Sequence, residues 1–237
     1  MQIDFKQINT GEIYNIINGL VAPRPIALVT SLSPEGLLNA APFSAYNYLC
    51  TNPPIVGLGI QSRTPGGDEM KDTSRNIELT GEFVVNVVTE DIAQKMNICG
   101  IEFPPDQSEM DMAGFTQTPS LLVKVPRIKE AHAALECRLY ESLKPRGSAR
   151  IILGEVVAAY VEDKFIGAET PVPNSQNEAQ ALVVPDPNKK RSGIYINAQE
   201  LHSIGRMNAL NNYVRTQDAF ISIPRLNYEQ WQRGERG

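Results

Sequence analysis

Between positions 61 and 76 the chain gathers side chains suited to an anion. Ser62 and Arg63 open a polar loop, and Lys71, Thr73 and Asn76 close it where a helix is expected to begin. A helix start leaves its first amides without intrahelical partners and carries the positive end of the macrodipole. Two cations, hydroxyls and an amide placed there make a receptive site for a phosphate group. On these residues alone, a solvated loop with an ordinary helix cap is the plainer alternative. The formal net charge is −5, so a local cationic cluster stands out against its background. A second stretch, Pro42-Phe43-Ser44-Ala45-Tyr46-Asn47, is small, polar and proline-bent, like backbone laid against something flat and polar.

Other chemistries find little support. His132 and His202 are the only histidines, and Cys50, Cys99 and Cys137 are odd in number and widely spaced. This pattern predicts reduced, mostly buried thiols and no zinc or iron site. No serine lies in a Gly-x-Ser-x-Gly elbow. Asp68-Glu69 and Glu90-Asp91 are carboxylate pairs with no apolar pocket suggested around them, which disfavours a glycosidase-like pair. Gly57-Leu58-Gly59 approaches a dinucleotide fingerprint but lies inside an expected strand, with a polar loop before the next helix. The acidic balance speaks against nucleic acid, and no apolar run is long enough for a membrane helix. With no signal-like segment at the N-terminus, a cytoplasmic location is expected.

The elements that must position these residues are mostly strands. Seventeen prolines and seventeen glycines imply many turns. A helix is expected over 10–19, capped by Thr10 and ended by Gly19. Residues 25–31 and 37–43 form a hairpin around Ser33-Pro34-Glu35-Gly36, followed by a break at Asn52-Pro53-Pro54 and a strand over 55–60. Alternation on that strand puts Ile55, Gly57 and Gly59 on one face; the two glycines admit either close strand packing or a ligand or partner chain. A helix from about 73 to 79, capped by Asp72 or Thr73 and stopped by Gly81, leads into a strand over 82–88. Thr89 is expected to cap another helix, through about 97. Residues 101–120 read as irregular. Residues 131–143 and 150–160 form a long hairpin, with His132, Glu136, Arg138 and Tyr140 on its polar face. Glu155 either pairs with Arg138 or Arg150 or faces outward. His132 reads as structural or solvent-facing. The stretch 167–193 is a long polar loop, of a length expected of a lid, an arm or a disordered segment, and Asn197 is placed to cap a helix through about 204, leaving His202 on its surface. Arg24, held extended between two prolines, either meets an anion or pairs at the surface. Trp231 is expected to anchor the tail or a partner chain. The whole, 1–237, reads as one β-dominant barrel domain rather than alternating βαβ units.

The order Arg24-Pro25-Ile26-Ala27-Leu28-Val29-Thr30, Asn39-Ala40-Ala41-Pro42-Phe43-Ser44, Asn47, Asn52-Pro53-Pro54, Lys71-Asp72-Thr73-Ser74-Arg75-Asn76 and Gly81-Glu82-Phe83-Val84-Val85-Asn86 resembles the flavin reductase-like family, especially its flavoredoxin-type branch. The similarity extends to Leu153-Gly154-Glu155-Val156-Val157 and covers roughly residues 20–161. The resemblance implies a mainly β FMN-binding split barrel with a few peripheral helices, working as a homodimer. It implies cofactor-binding roles for Pro42, Phe43, Ser44 and Asn47 along the flavin ring, and for Ser62, Arg63, Lys71, Thr73 and Asn76 around the phosphate. The implied function is an NAD(P)H-dependent flavin reductase, with NADH or NADPH as transient donor and a flavin or other small molecule as acceptor. An FMN electron carrier reduced by a redox protein partner is the alternative, and a non-catalytic dimeric module a third. The chain departs from the family near Arg150, where many relatives carry histidine, and at Arg206 and Tyr213, where the late Arg-x-Gly-Gly-x-x-Tyr pattern is degraded.

Overall fold

Apolar residues on both faces of the same strands dictate a sheet covered on both sides. A computed structural model describes residues 1–237 apart from 64–66, 68, 105–106, 146, 148, 168–193, 209–210, 217–232 and 234–237. Helix α1, Thr10–Leu20, leads to strands β1 (Arg24–Pro25), β2 (Ala27–Leu32), β3 (Leu38–Phe43), β4 (Tyr46–Thr51) and β5 (Pro54–Ile60). Helix α2 (Asp72–Thr80), β6 (Glu82–Val87), a short 3₁₀ turn (Glu90–Ile92), α3 (Ala93–Ile98) and α4 (Glu109–Met112) follow. Then come β7 (Gln117–Thr118), β8 (Arg127–Ile128), β9 (Ala133–Leu143), β10 (Arg150–Val161), β11 (Ile166–Gly167), β12 (Tyr195–Ile196), β13 (Ile204–Arg206) and β14 (Tyr213–Arg215).

The main sheet is antiparallel, with seven strands in the order β3-β2-β6-β9-β10-β5-β4. Alternation along β2 sends Leu28 into one apolar cluster with Val84, Met96 and Ile128. It sends Ala27 and Val29 into a second cluster with Leu58, Ile60, Ile77, Phe83 and Ile152. The second cluster draws on β2, β5, β6 and β10, strands spread across nearly the whole sheet. Where β10 crosses Phe83, Gly154 leaves room for the ring: a Cβ there would lie 2.3 Å from Phe83 Cζ.

Several expectations are corrected by tertiary context. Residues 25–31 are not one strand: Arg24 and Pro25 pair with Arg206 and Gly205 of β13, while β2 joins the main sheet. Asn9, not Thr10, caps α1, in a reciprocal box with Glu12, and Gly19 lies inside the helix. The stretch 46–51 is itself a strand, paired with β5. Its Leu49 covers Gly57, and Ala45 covers Gly59, so close strand packing explains both glycines. Lys71, without a side-chain cap bond, takes the N-cap place of α2, whereas Gly81 ends it in the left-handed conformation at φ 76° as expected. The helix after Thr89 begins as a 3₁₀ turn, and Thr89 makes no side-chain cap. Residues 101–120, read as irregular, include α4 and β7. Asn197 does accept from the Glu200 amide, but no helix follows; the chain turns and enters β13. The 167–193 loop (beyond Gly167) and Trp231 lie outside the described residues.

Glu136 departs from its expected polar face. It is 2% exposed because the amides of Leu121 and Leu122 donate to its carboxylate at 2.7 and 2.6 Å. Glu155 finds neither proposed partner: Arg138 lies 4.0 Å from Glu82 and donates to the Leu122 carbonyl, while Arg150 takes Glu78.

The Arg150–Glu78 pair fastens α2 to β10. Arg150 Nε and Ser142 Oγ donate to one Glu78 oxygen at 2.7 and 2.6 Å. Burial alone would raise the Glu78 pKa, but the bonds from Ser142 and Arg150 outweigh it and hold the carboxyl below its ordinary 4.5. A depressed carboxylate contributes stability above its unfolded pKa and loses it as pH falls through the folded one. Arg150→Gln is therefore expected to lower urea-unfolding stability at neutral pH, with the two proteins converging below the depressed value. A difference that persists unchanged into acid would contradict this account of the pair.

Candidate functional site

A cleft opens where the end of β3 meets the start of α2. Asn39, Ala41, Pro42 and Phe43 form one wall, and Arg63, Lys71, Asp72 and Thr73 form another. Residues Cys99 to Phe103 and Glu109 close the third side. Beneath it lies a polar network that locks β2, β3 and α2 together. Asn39 Nδ2 donates to Thr73 Oγ1 at 2.9 Å and to Ser31 Oγ at 3.4 Å, and Asn76 Nδ2 donates to the same Ser31 oxygen at 3.3 Å. All four residues are buried, so each bond replaces one that water would otherwise make.

Charge is concentrated at the mouth. Arg63 pairs with Asp72 through Nη2, lies 3.7 Å from Glu102, and its buried Nε faces Glu69 at 3.3 Å. Asp72 also accepts from Arg75 at 2.6 Å. Because Lys71 makes no capping bond, the first amides of α2 have no side-chain partner from the cap. Glu109 accepts from the Ala40 amide at 3.2 Å. Burial, with Asp72 nearby, raises its pKa against the opposing pull of that bond and of Arg63. A carboxyl raised in this way contributes stability below its unfolded pKa and loses it as pH rises through the folded one. Glu109→Gln keeps the acceptor and removes the charge. The variant is expected to gain thermal stability over the parent above that folded pKa and to match it in acid; a scan of melting temperature against pH checks this.

The Cys99 thiol, pushed up to about 12 by burial and then by Glu109, stays protonated and contributes no thiolate to the cleft. Cys137 is raised still further by burial, and only Cys50 of the three is exposed.

Of the residues singled out from sequence, Pro42, Phe43, Arg63, Lys71 and Thr73 meet in this cleft. Asn76 lies under it in the Ser31 network, and Ser62 is buried outside its walls. Ser44, one residue past the wall, accepts from Arg24 Nε at 3.4 Å. Asn47 is exposed on β4, and its side chain accepts from the Tyr48 amide at 2.9 Å. Asn39, Glu109 and the segment from Cys99 to Phe103 were not foreseen. Asn39 is a polar residue in an apolar strand, which is a signal; Glu109 and the 99–103 segment carry none. His132 is held between carboxylates, 2.8 Å from Glu162 and 3.0 Å from Asp91, in keeping with a structural role. His202 sits in a turn at φ 53° rather than on a helix. No cluster of His, Cys, Asp and Glu suited to a metal occurs among the described residues.

The chain belongs to the flavin reductase like domain family, which it matches over residues 20–174. It is similar to the 2-nitrobenzoate 2-nitroreductase NbaA of Pseudomonas fluorescens, at 34% identity and a TM-score of 0.75, over 94% of this chain and 96% of that one. It is similar to nitrilotriacetate monooxygenase component B of Bacillus cereus, at 29% identity and a TM-score of 0.76, over 94% and 98%. A flavin reductase with a split barrel domain from Shewanella frigidimarina aligns at 20% identity and a TM-score of 0.72, over 95% and 100%. That likeness bears on fold, and the seven-stranded sheet with few helices is the same mainly β split barrel. The protein is thereby a flavin-related oxidoreductase. Among the described residues no helix is long and apolar enough to cross a membrane.

Proposed function

We propose that the cleft holds FMN and that the protein is an NADH- or NADPH-dependent flavin reductase acting as a homodimer. The observation that carries this is the meeting, in one cleft, of an uncapped helix start, two cations and the Pro42–Phe43 wall. The residues present fit such a group. Lys71 and Arg63 bring cations to the mouth, Thr73 accepts from Asn39 and keeps its hydroxyl proton to donate, and Gly100 puts no side chain at its own point of the third wall. A Cβ at Gly100 would stand 3.7 Å from Pro42 Cγ.

On this reading Lys71, Arg63, Thr73 and the α2 amides hold the phosphate, with Asn76 and Ser62 supporting them from below. Pro42, Phe43, Ser44 and Asn47 lie along the ring and meet it chiefly through backbone groups. The chemistry supplied with FMN bound is two-electron transfer from a nicotinamide to a free flavin or another small acceptor. The protein's part is to bind, orient and shield, which needs no histidine base. The exposed β4 edge, with Tyr48 at 68% and Leu49 at 56% exposure, is an apolar strip for a second subunit to cover.

Anaerobic addition of NADH or NADPH to the FMN-loaded protein tests the proposal. Bleaching of the flavin band followed by reoxidation with excess free flavin is expected. A protein that takes up no FMN would refute the cleft assignment; one that binds FMN but is bleached by neither nucleotide would be an electron carrier served by a redox partner.

A further inference from the structure

Arg24 is an interior cation satisfied by uncharged groups. It is 7% exposed, and burial pulls its pKa below the ordinary arginine value. Its Nη1 donates to the carbonyls of Asn18, Val21 and Met207 at 2.7, 2.8 and 3.0 Å. Its Nη2 donates to the Asn208 carbonyl at 3.3 Å, and its Nε reaches Ser44 Oγ at 3.4 Å. No carboxylate bond to it is seen among the described residues. Two of the carbonyls belong to the last turn and cap of α1, the negative end of that helix, which suits a cation. The other two directly follow β13, the strand that pairs with β1 through Arg24 and Pro25. Gly205 allows the close approach: a Cβ there would lie 3.0 Å from Pro23 Cβ and 3.5 Å from the Arg24 carbonyl.

We propose that Arg24 is a positioning residue that couples the cleft wall to the β13 arm, with consequences for flavin binding that rest on the function proposed above. Ser44 is the next residue after Phe43, so a donor that holds Ser44 also fixes where β3 ends and how Pro42 and Phe43 face the cleft. The same guanidinium holds Met207 and Asn208. Only a planar fork with separate donors reaches the wall, the helix end and the arm at once; a lysine ammonium occupies one point. Undocking the arm therefore releases the wall, and ordering the wall favours the docked arm.

The test compares Arg24→Ala, Arg24→Lys and Ser44→Ala with the parent. Amide hydrogen exchange is followed without flavin over residues 42–48 and 204–208, and FMN affinity by fluorescence quenching. Each is repeated with sub-denaturing guanidinium chloride and with equal sodium chloride. Arg24→Ala is expected to speed exchange in both segments by about tenfold and weaken FMN by about tenfold, while the β2 and β6 amides keep their protection. Guanidinium is expected to restore part of both, with sodium chloride and the lysine variant restoring neither. Ser44→Ala, which cuts only the wall-side link, is expected to weaken FMN and to loosen both segments, each by less than Arg24→Ala does. Faster exchange in one segment only, an even loss across the sheet, or equal effects of the two salts would overturn the coupling. If the parent takes up no FMN, the proposed function fails while the exchange measurements still decide the coupling.

Discussion

Replacing Gly154 by alanine is expected to cost about 2 kcal/mol of unfolding free energy, within the range for overpacked cores. The added Cβ would stand 2.3 Å from Phe83 Cζ, 2.8 Å from Cε1 and 3.4 Å from Cys137 Cβ. Phe83 is fully buried among Val85, Leu58 and Ile152, so its ring cannot simply swing away. Removing glycine also restricts the unfolded chain, a gain of about 0.4–1 kcal/mol that offsets only part of the strain. Urea midpoints measure the net effect, and unchanged stability would mean the sheet shifts freely at this point. The same substitution in a Phe83→Leu background, where the far end of the ring is gone, is expected to cost less. A double-mutant cycle then reports the contact itself.

Lys71→Ala is expected to weaken FMN binding by roughly 10- to 100-fold, the scale of one hydrogen bond to a charged group. Lys71 stands at the start of α2, and the helix amides remain in the variant, so binding is reduced rather than abolished. Arg63 is already shared among Asp72, Glu69 and Glu102, which leaves Lys71 as the cation of the cleft mouth with no carboxylate ion pair among the described residues. Fluorescence titration at two salt concentrations checks the prediction. The parent's affinity is expected to fall more steeply with salt than the variant's, and an affinity within twofold of the parent would remove Lys71 from the phosphate site.

Much of the scaffold is written locally. The β2–β3 hairpin, the α2 stop at Gly81 and the β9–β10 hairpin follow from turn residues, a left-handed glycine and alternation, all readable within a few positions. What stayed hidden depends on distant partners. Arg24 and Pro25 become a strand only because Arg206 and Gly205 lie beside them. Glu136 is buried only because the amides of Leu121 and Leu122 come to it. Asn197 carries a genuine cap signal, yet pairing of Ile204–Arg206 with two other strands draws the chain out of a helix. In the cleft, the cationic loop and the Pro42 ledge were legible as residue types. The buried Ser31–Asn39–Thr73–Asn76 network, the raised carboxyl of Glu109 and the wall from Cys99 to Phe103 exist only once the sheet is assembled.

The strand order also bears on how the molecule is made. The first sixty residues supply β2 and β3 at one end of the sheet and β4 and β5 at the other, with no pairing between the two hairpins. The gap is bridged by β6 and then by β9 and β10, the last completed at Val161. Contacts of such long sequence separation close slowly. On the ribosome, two hairpins with open edges must therefore wait through some hundred residues of synthesis before the strands that join them emerge.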